Sequence, residues 1–219
     1  MKEGDFTRID YVGRISESGE IFDLTKESIA KEKGIYNPKF KYGSVPVIIG
    51  ANLVVKGLEK GLKTMKVDEK KKIIIKPEDA FGDRNPKLIR LVPLSEFKKQ
   101  RMTPYPGMHV TINNISGRVL SVSGGRVRVD FNHLLAGKIL EYDVEVKNKI
   151  IKQKSKVKAI IEIFLKTDEN DVDVIIEKEI AEIKIKKKED IPKRIKKVIA
   201  DMITKWIKVI KKVKFVEEY

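Results

Sequence analysis

The chain predicts an α+β protein with more than one unit, and three observations carry that expectation. Residues 7–15 alternate in the manner of a strand, whereas Val54, Leu58, Leu62 and Met65 recur at helical intervals. Between residues 110 and 130 short β-branched runs crowd together around turn residues, the pattern of a small all-β unit. After residue 150 helical and alternating patterns mix again, as in a second α+β unit.

From Thr7 to Ile15, Ile9, Tyr11 and Gly13 face one way and Arg8, Asp10 and Val12 the other. Ser18-Gly19-Glu20 reads as a turn into Ile21-Phe22-Asp23. Residues 24–44, broken by Gly34, Pro38 and Gly43, form a long connection with one helical turn around Ser28–Lys33. Pro46 to Gly50 is a short buried strand, and Lys71 to Lys76 is another. Pro93, Pro104 and Pro106 then punctuate the chain before strands at 110–112, 117–120 and 126–130. Ser123-Gly124-Gly125 supplies the hairpin turn between the last two. Because this unit interrupts another, its two ends must lie close together.

In the last seventy residues Val157, Ile160, Ile161 and Phe164 predict a helix, and Val172, Val174 and Ile176 a strand. A second strand is expected at Ile183–Lys187, after Glu179–Glu182. Asp190 is placed to cap a helix whose early Pro192 lacks a donor that would be unpaired there anyway. That helix carries a wide apolar stripe through Ile195, Val198, Ile199, Met202, Ile203, Trp206, Ile207 and Ile210. Lys212 to Tyr219 alternates as a final strand. So wide a stripe exceeds what a seventy-residue unit covers alone, which predicts a homodimer through this unit.

Composition narrows the function. The chain has 219 residues and no cysteine, so disulfides and thiolate metal sites are excluded. No N-terminal apolar run resembles a signal peptide and no segment approaches a membrane span, so a cytoplasmic protein is expected. Lys, Glu and Ile dominate while Gln occurs only at positions 100 and 153, the balance of proteins from hot environments. The net charge is +15, yet it is spread out: residues 150–219 carry 19 Lys and Arg against 13 Asp and Glu. Solvated faces explain it better than one phosphate-binding patch, although it favours loose contact with ribosomes or acidic clients.

Five motifs identify a family. Asp10-Tyr11-Val12-Gly13, Ile21-Phe22-Asp23, Val54-Val55-Lys56-Gly57-Leu58-Glu59-Lys60-Gly61, Pro77-Glu78-Asp79-Ala80-Phe81-Gly82 and the run from Asn132-His133-Leu134-Leu135-Ala136-Gly137-Lys138 to Tyr142-Asp143-Val144-Glu145-Val146 fall in order. Together they resemble the FKBP-type peptidyl-prolyl cis/trans isomerases. The last motif arrives some fifty residues late, similar to SlyD-like members with a domain inserted in the flap. The resemblance implies an antiparallel sheet wrapped on one short helix, built from residues 1–86 and 131–149. Residues 87–130 would be the insert-in-flap chaperone domain and 150–219 a separate C-terminal α+β domain.

An X-Pro bond prefers trans by only about 0.5–1 kcal/mol but isomerises slowly, against a barrier of ~18–20 kcal/mol. Catalysing its rotation requires a dry apolar cup and no nucleophile, metal or cofactor. By resemblance Tyr11, Phe22, Val54, Val55, Leu58, Phe81 and Tyr142 line that cup, with Asp23 beside the reacting carbonyl. The Val55 N–H would bind the substrate chain. Val45 or Val47 and Leu135 would stand at the rim, Ala80 beside Phe81, and His133 over one edge. Leu58 and Phe81 depart from the Trp and Tyr of many members, so one hydroxyl is missing. Taken singly, each aromatic is a core candidate; their joint order makes them a site.

His109 reads as structural, and with only two distant histidines no metal site is expected. In the insert, Met102, Tyr105 and Met108 form an adaptable segment suited to varied partners. Val110, Ile112, Val119, Val127 and Val129 are the candidates for its core. The resemblance implies that the insert holds unfolded X-Pro-containing polypeptides near the cup. The rival reading is a non-catalytic basic protein that binds peptides or nucleic-acid-associated partners.

Overall fold

Residues 1–186 and 191–216 are described by a computed structural model. In chain order the first elements are β1 (Phe6–Ile15), β2 (Ile21–Leu24), α1 (Glu27–Glu32), β3 (Val45–Ile48), α2 (Lys56–Thr64) and β4 (Lys70–Ile75). The next are β5 (Ile89–Pro93), α3 (Leu94–Lys99), β6 (His109–Ile112), β7 (Ile115–Ser123), β8 (Arg126–Asp130) and β9 (Leu140–Lys149). The chain continues through α4 (Gln153–Leu165), β10 (Val172–Glu177), β11 (Ile180–Ile185), α5 (Lys193–Trp206) and β12 (Lys212–Val216). They form three sheets, giving the expected α+β protein.

The first sheet runs β2-β1-β9-β4, with β3 also paired to β1, and its neighbours are antiparallel. β9 is its centre: Tyr142 lies opposite Gly13 of β1 on one side and Ile73 of β4 on the other. One helix, α2, covers the inner face, and its two glycines explain how it can. A Cβ on Gly57 or Gly61 would lie 2.3 Å from the side chain of Ile75 or Ile73. Only glycine at this i, i+4 pair lets the helix settle onto β4. Leu58 and Leu62, at 2% and 0% exposure, fill the space between.

The insert sheet runs β5-β8-β7-β6. Its hairpin turn is built as the sequence predicts, with Gly124 and Gly125 both left-handed at φ +55° and +72°. Val110, Val119, Val127 and Val129 are buried together, with Ile112 packed against them. The Pro-punctuated start of the insert holds more structure than expected. β5 is an edge strand, so Pro93 costs no ladder bond that the sheet requires, and Val92 and Phe97 join the core. The two crossings into the insert are clamped together. Asn85 and Asn132 exchange hydrogen bonds of 2.8 and 3.0 Å, and Arg84 pairs with Asp130.

In the C-terminal unit β10 and β11 are antiparallel, while β11 and β12 run parallel across the α5 crossover. β11 begins at Ile180, earlier than predicted, because Lys178 at φ +53° already closes the hairpin. Pro192 immediately precedes the first helical residue of α5; Asp190 lies outside the described residues, as do Glu217–Tyr219 of the final strand. α5 ends at Trp206, before the predicted stripe does, so Ile199 and Ile203 are buried on the helix and Ile207 and Ile210 just beyond it, while Val198 is 37% exposed. Nor is the unit separate. Its core contains Phe6 of β1 and Ile48 of β3, with Ala51 and Leu53 packed against it. The first sheet thus covers part of this apolar surface, while Val198 stays open.

Candidate prolyl site

The site grows from the seam where β1, β2, β9, α2 and the 77–82 turn meet. Thr25 fixes β1 by accepting the Tyr11 N–H on its hydroxyl at 2.9 Å, while its own N–H reaches the Tyr11 carbonyl at 3.0 Å. Gly13 then leaves room for rings: a Cβ there would lie 2.8 Å from Phe22 and 3.0 Å from Tyr142. The Phe22 and Tyr142 ring centroids stand 5.6 Å apart, edge to face, and Tyr11 and Tyr142 are 5.7 Å apart. Tyr142, 5% exposed, and Leu58 form the floor within one buried cluster. Tyr11, Phe22, Val54, Val55, Ala80 and Phe81 pack against that cluster while remaining partly open.

Two charged contacts shape the walls. The Tyr11 hydroxyl donates to Asp23 Oδ2 at 2.6 Å. The 77–82 turn is drawn onto α2 by Asp79, which binds Lys60 at 2.6 Å and Lys56 at 3.3 Å. Those ammonium groups hold the Asp79 carboxyl below its ordinary range, the Lys60 hydrogen bond most of all. Burial pushes the Tyr142 hydroxyl up to about 12, helped by the Asp23 charge; burial and the Asp23 hydrogen bond raise Tyr11 as well. Both phenols therefore keep their protons at ordinary pH.

Other expected site residues fall elsewhere. Val47 and Leu135, expected at the rim, are core residues at 2% and 9% exposure, whereas Val45 remains partly exposed beside the cluster. Leu135 turns inward because the 133–136 turn closes on itself: its N–H reaches His133 Nδ1 at 3.2 Å, and Ala136 N–H reaches the His133 carbonyl. Leu134, 63% exposed, takes the outward position. His133 lies flat on Phe81, with centroids 4.1 Å apart and planes 4° apart. Met102 and Met108, expected as an adaptable segment of the insert, pack on the insert core, and Tyr105 is 62% exposed.

In the sequence Glu59 stands only as part of a motif, yet it organises the approach to Val54 and Val55. Its carboxylate, 9% exposed, accepts the N–H groups of Gly50 at 3.0 Å and Asn52 at 3.2 Å. An acid on the inner face of an amphipathic helix was the signal that such a partner had to exist. Val55 caps α2 and its carbonyl accepts the Glu59 N–H at 3.1 Å. Among the described residues no group of three or more His, Cys, Asp or Glu is placed to hold a metal, and no helix is long and apolar enough to cross a membrane.

Comparison with known proteins agrees with this geometry. Residues 1–97 match the FKBP-type peptidyl-prolyl cis-trans isomerase family, and residues 90–135 match the family described as FKBP26, IF domain. A short-type peptidyl-prolyl cis-trans isomerase of Methanocaldococcus jannaschii is 32% identical over 148 residues, covering 68% of this chain and 93% of that protein. A probable FKBP-type 16 kDa isomerase of Pseudomonas fluorescens is 36% identical over 103 residues, 45% of this chain and 67% of its own. SlyD of Helicobacter pylori is 32% identical over 143 residues, 63% and 69% of the respective chains. With both family matches and a relative 32% identical that is covered over 93% of its length, the chain belongs to the FKBP-type peptidyl-prolyl cis-trans isomerases.

Proposed function

We propose that this isomerase accelerates proline-limited folding of unfolded polypeptides, with the cup between Phe22, Phe81 and Tyr142 receiving the prolyl ring and the insert retaining the rest of the client. The convergence of six half-open side chains on the buried floor of Leu58 and Tyr142 carries this reading. A planar X-Pro amide is more dipolar than its twisted form, because twisting ends the resonance that places charge on oxygen. A water-poor cup therefore disfavours the planar state relative to the twisted one. Every ~1.36 kcal/mol of such preference is tenfold in rate. In this scheme Tyr11 holds Asp23 at the wall near the reacting carbonyl, and the Val55 N–H anchors the substrate backbone. No proton need leave the site during rotation.

Residues 1–86 with 131–149 would act as the catalytic part, and 87–130 as the client-holding part. Deleting residues 88–130 and joining the ends with a short Gly/Ser linker separates the roles. Isomerisation of a tetrapeptide, measured without a coupled protease, should persist, whereas refolding of a proline-limited protein and suppression of its aggregation should both fall steeply. Equal losses in all three assays would refute the division. Absence of tetrapeptide isomerisation in the full chain would instead select a non-catalytic binding protein.

A further inference from the structure

A cavity of about 620 Å³ lies between the insert strands and the loop that leads from the insert to β9, and the prolyl chemistry makes no use of it. Arg84, Arg118 and Lys138 contribute cations to its lining and Asp130 its one carboxylate, leaving +2 from these four groups. That carboxylate is already occupied. It accepts from Arg84 Nε at 2.9 Å, from the Asn132 N–H at 2.9 Å and from Asn132 Nδ2 at 2.7 Å. Arg118, across from His109 in the β6–β7 pair, is exposed and makes no ion pair among the described residues. Among the described residues Lys138 pairs only with Glu17, at 3.3 Å, and Glu17 is 81% exposed, a surface pair that an incoming anion can displace at little cost.

The cavity also adjoins the cup. The 131–137 loop has two sides: Leu135 enters the core beneath the aromatic seam, while His133, Leu134 and Ala136 face the cavity. His133 itself is stacked on Phe81, so one ring pair separates the two spaces. Apolar groups, Leu120 and Phe131, alternate with the cations around the wall. That mixture fits a polypeptide better than a bare phosphate chain, which would find few of its charges answered. The clamp at Asn85, Asn132, Arg84 and Asp130 fixes the two walls against each other without an added ligand.

We propose that this cavity is a second subsite, taking an acidic segment of the client whose proline occupies the cup, so that the enzyme selects X-Pro bonds flanked by Asp or Glu. The proposal rests on the isomerase reading above and adds a charge preference set by Arg118 and Lys138.

The test compares two peptides of one X-Pro core, extended on either side by three Glu or by three Gln, in an exchange-NMR isomerisation assay. The wild-type protein should favour the Glu peptide by roughly threefold to tenfold in kcat/KM, mostly through KM, the range for one or two partly exposed charge pairs. In the R118Q/K138Q double variant, and in the wild type at high salt, that ratio should fall to one. Equal kcat/KM for both peptides on the wild type would overturn the subsite and leave the isomerase reading intact. If neither peptide is isomerised, that reading fails, and fluorescence anisotropy decides the subsite alone. A Glu preference lost in the double variant supports it there, and equal affinities overturn it. A single-stranded oligonucleotide that binds through Arg118 and Lys138, with no Glu-over-Gln discrimination, would also overturn it in favour of nucleic acid.

Discussion

The insert and the C-terminal unit are both additions to one five-stranded sheet, yet they join it by opposite means. The insert enters through two clamped crossings and closes its own small core, in which Val127 and Val129 are fully buried. The C-terminal unit does not close its core alone. Ile160, Ile199 and Ile203 share one cluster with Phe6 and Ile48 from the catalytic strands, and Arg8 of β1 binds Glu162 of α4 at 2.6 Å. An insertion into a loop leaves the host's main cluster untouched, whereas this terminal unit takes two side chains of the host strands into its own core.

Removing residues 150–219 should break that comparison most forcefully. Phe6 and Ile48, now 1% and 0% exposed, would face water, and the truncated chain should fail to give dispersed amide NMR signals. The chain lacking residues 88–130 should give them. A well-folded 1–149 fragment would show the C-terminal unit to be as separable as the insert.

Point substitutions sharpen the same contrast. Ile203→Ala in the shared core should cost ~2–5 kcal/mol and lower the unfolding transition of catalytic sheet and C-terminal unit together. Val127→Ala in the insert core should leave that transition nearly in place. Hydrogen exchange checks it: Ile203→Ala should weaken protection in β1 and β9, and Val127→Ala only in β5 to β8.

A smaller, graded effect comes from alkali. Tyr142 sits in the catalytic core with its hydroxyl pushed up to about 12, while the same phenol in the unfolded chain ionises near its ordinary value of about 10. The folded state thus holds a proton that the unfolded state has lost. Its stabilising contribution is complete below about pH 10 and disappears as pH rises towards 12. Tyr11 adds to this in the same direction. The catalytic transition should therefore weaken across that window, and Tyr142→Phe should flatten the loss.

Most of the fold was legible because its signals are local. The alternation of β1, the stripe of α2 and the two glycines of the insert hairpin each act within one element. What escaped depends on partners distant in sequence. Phe6 reads as an ordinary strand residue, and nothing in its neighbours says that it will meet Ile160 and Ile203. The wide stripe on α5 was visible, but its cover could not be assigned to β1 and β3 without the tertiary structure. Pro93 hid an edge strand, since proline argues against a strand until its edge position is known. In the site, order along the chain placed Tyr11, Phe22, Phe81 and Tyr142 together. It could not tell Leu134 from Leu135, because the turn that points one inward is closed by a histidine nitrogen. Glu59 escaped for a related reason: its partners are backbone N–H groups, which no sequence pattern displays.

The central claim is that a seam of apolar rings, with no titrating catalyst, turns the prolyl bond. The direct measurement is exchange NMR of an X-Pro tetrapeptide with the wild type and with Phe22→Ala, a half-open position whose truncation spares the buried floor. The account predicts a loss of at least about tenfold in kcat/KM for the variant, equivalent to ~1.4 kcal/mol of lost transition-state preference. A variant that keeps its fold and isomerises the peptide at the wild-type rate would contradict it.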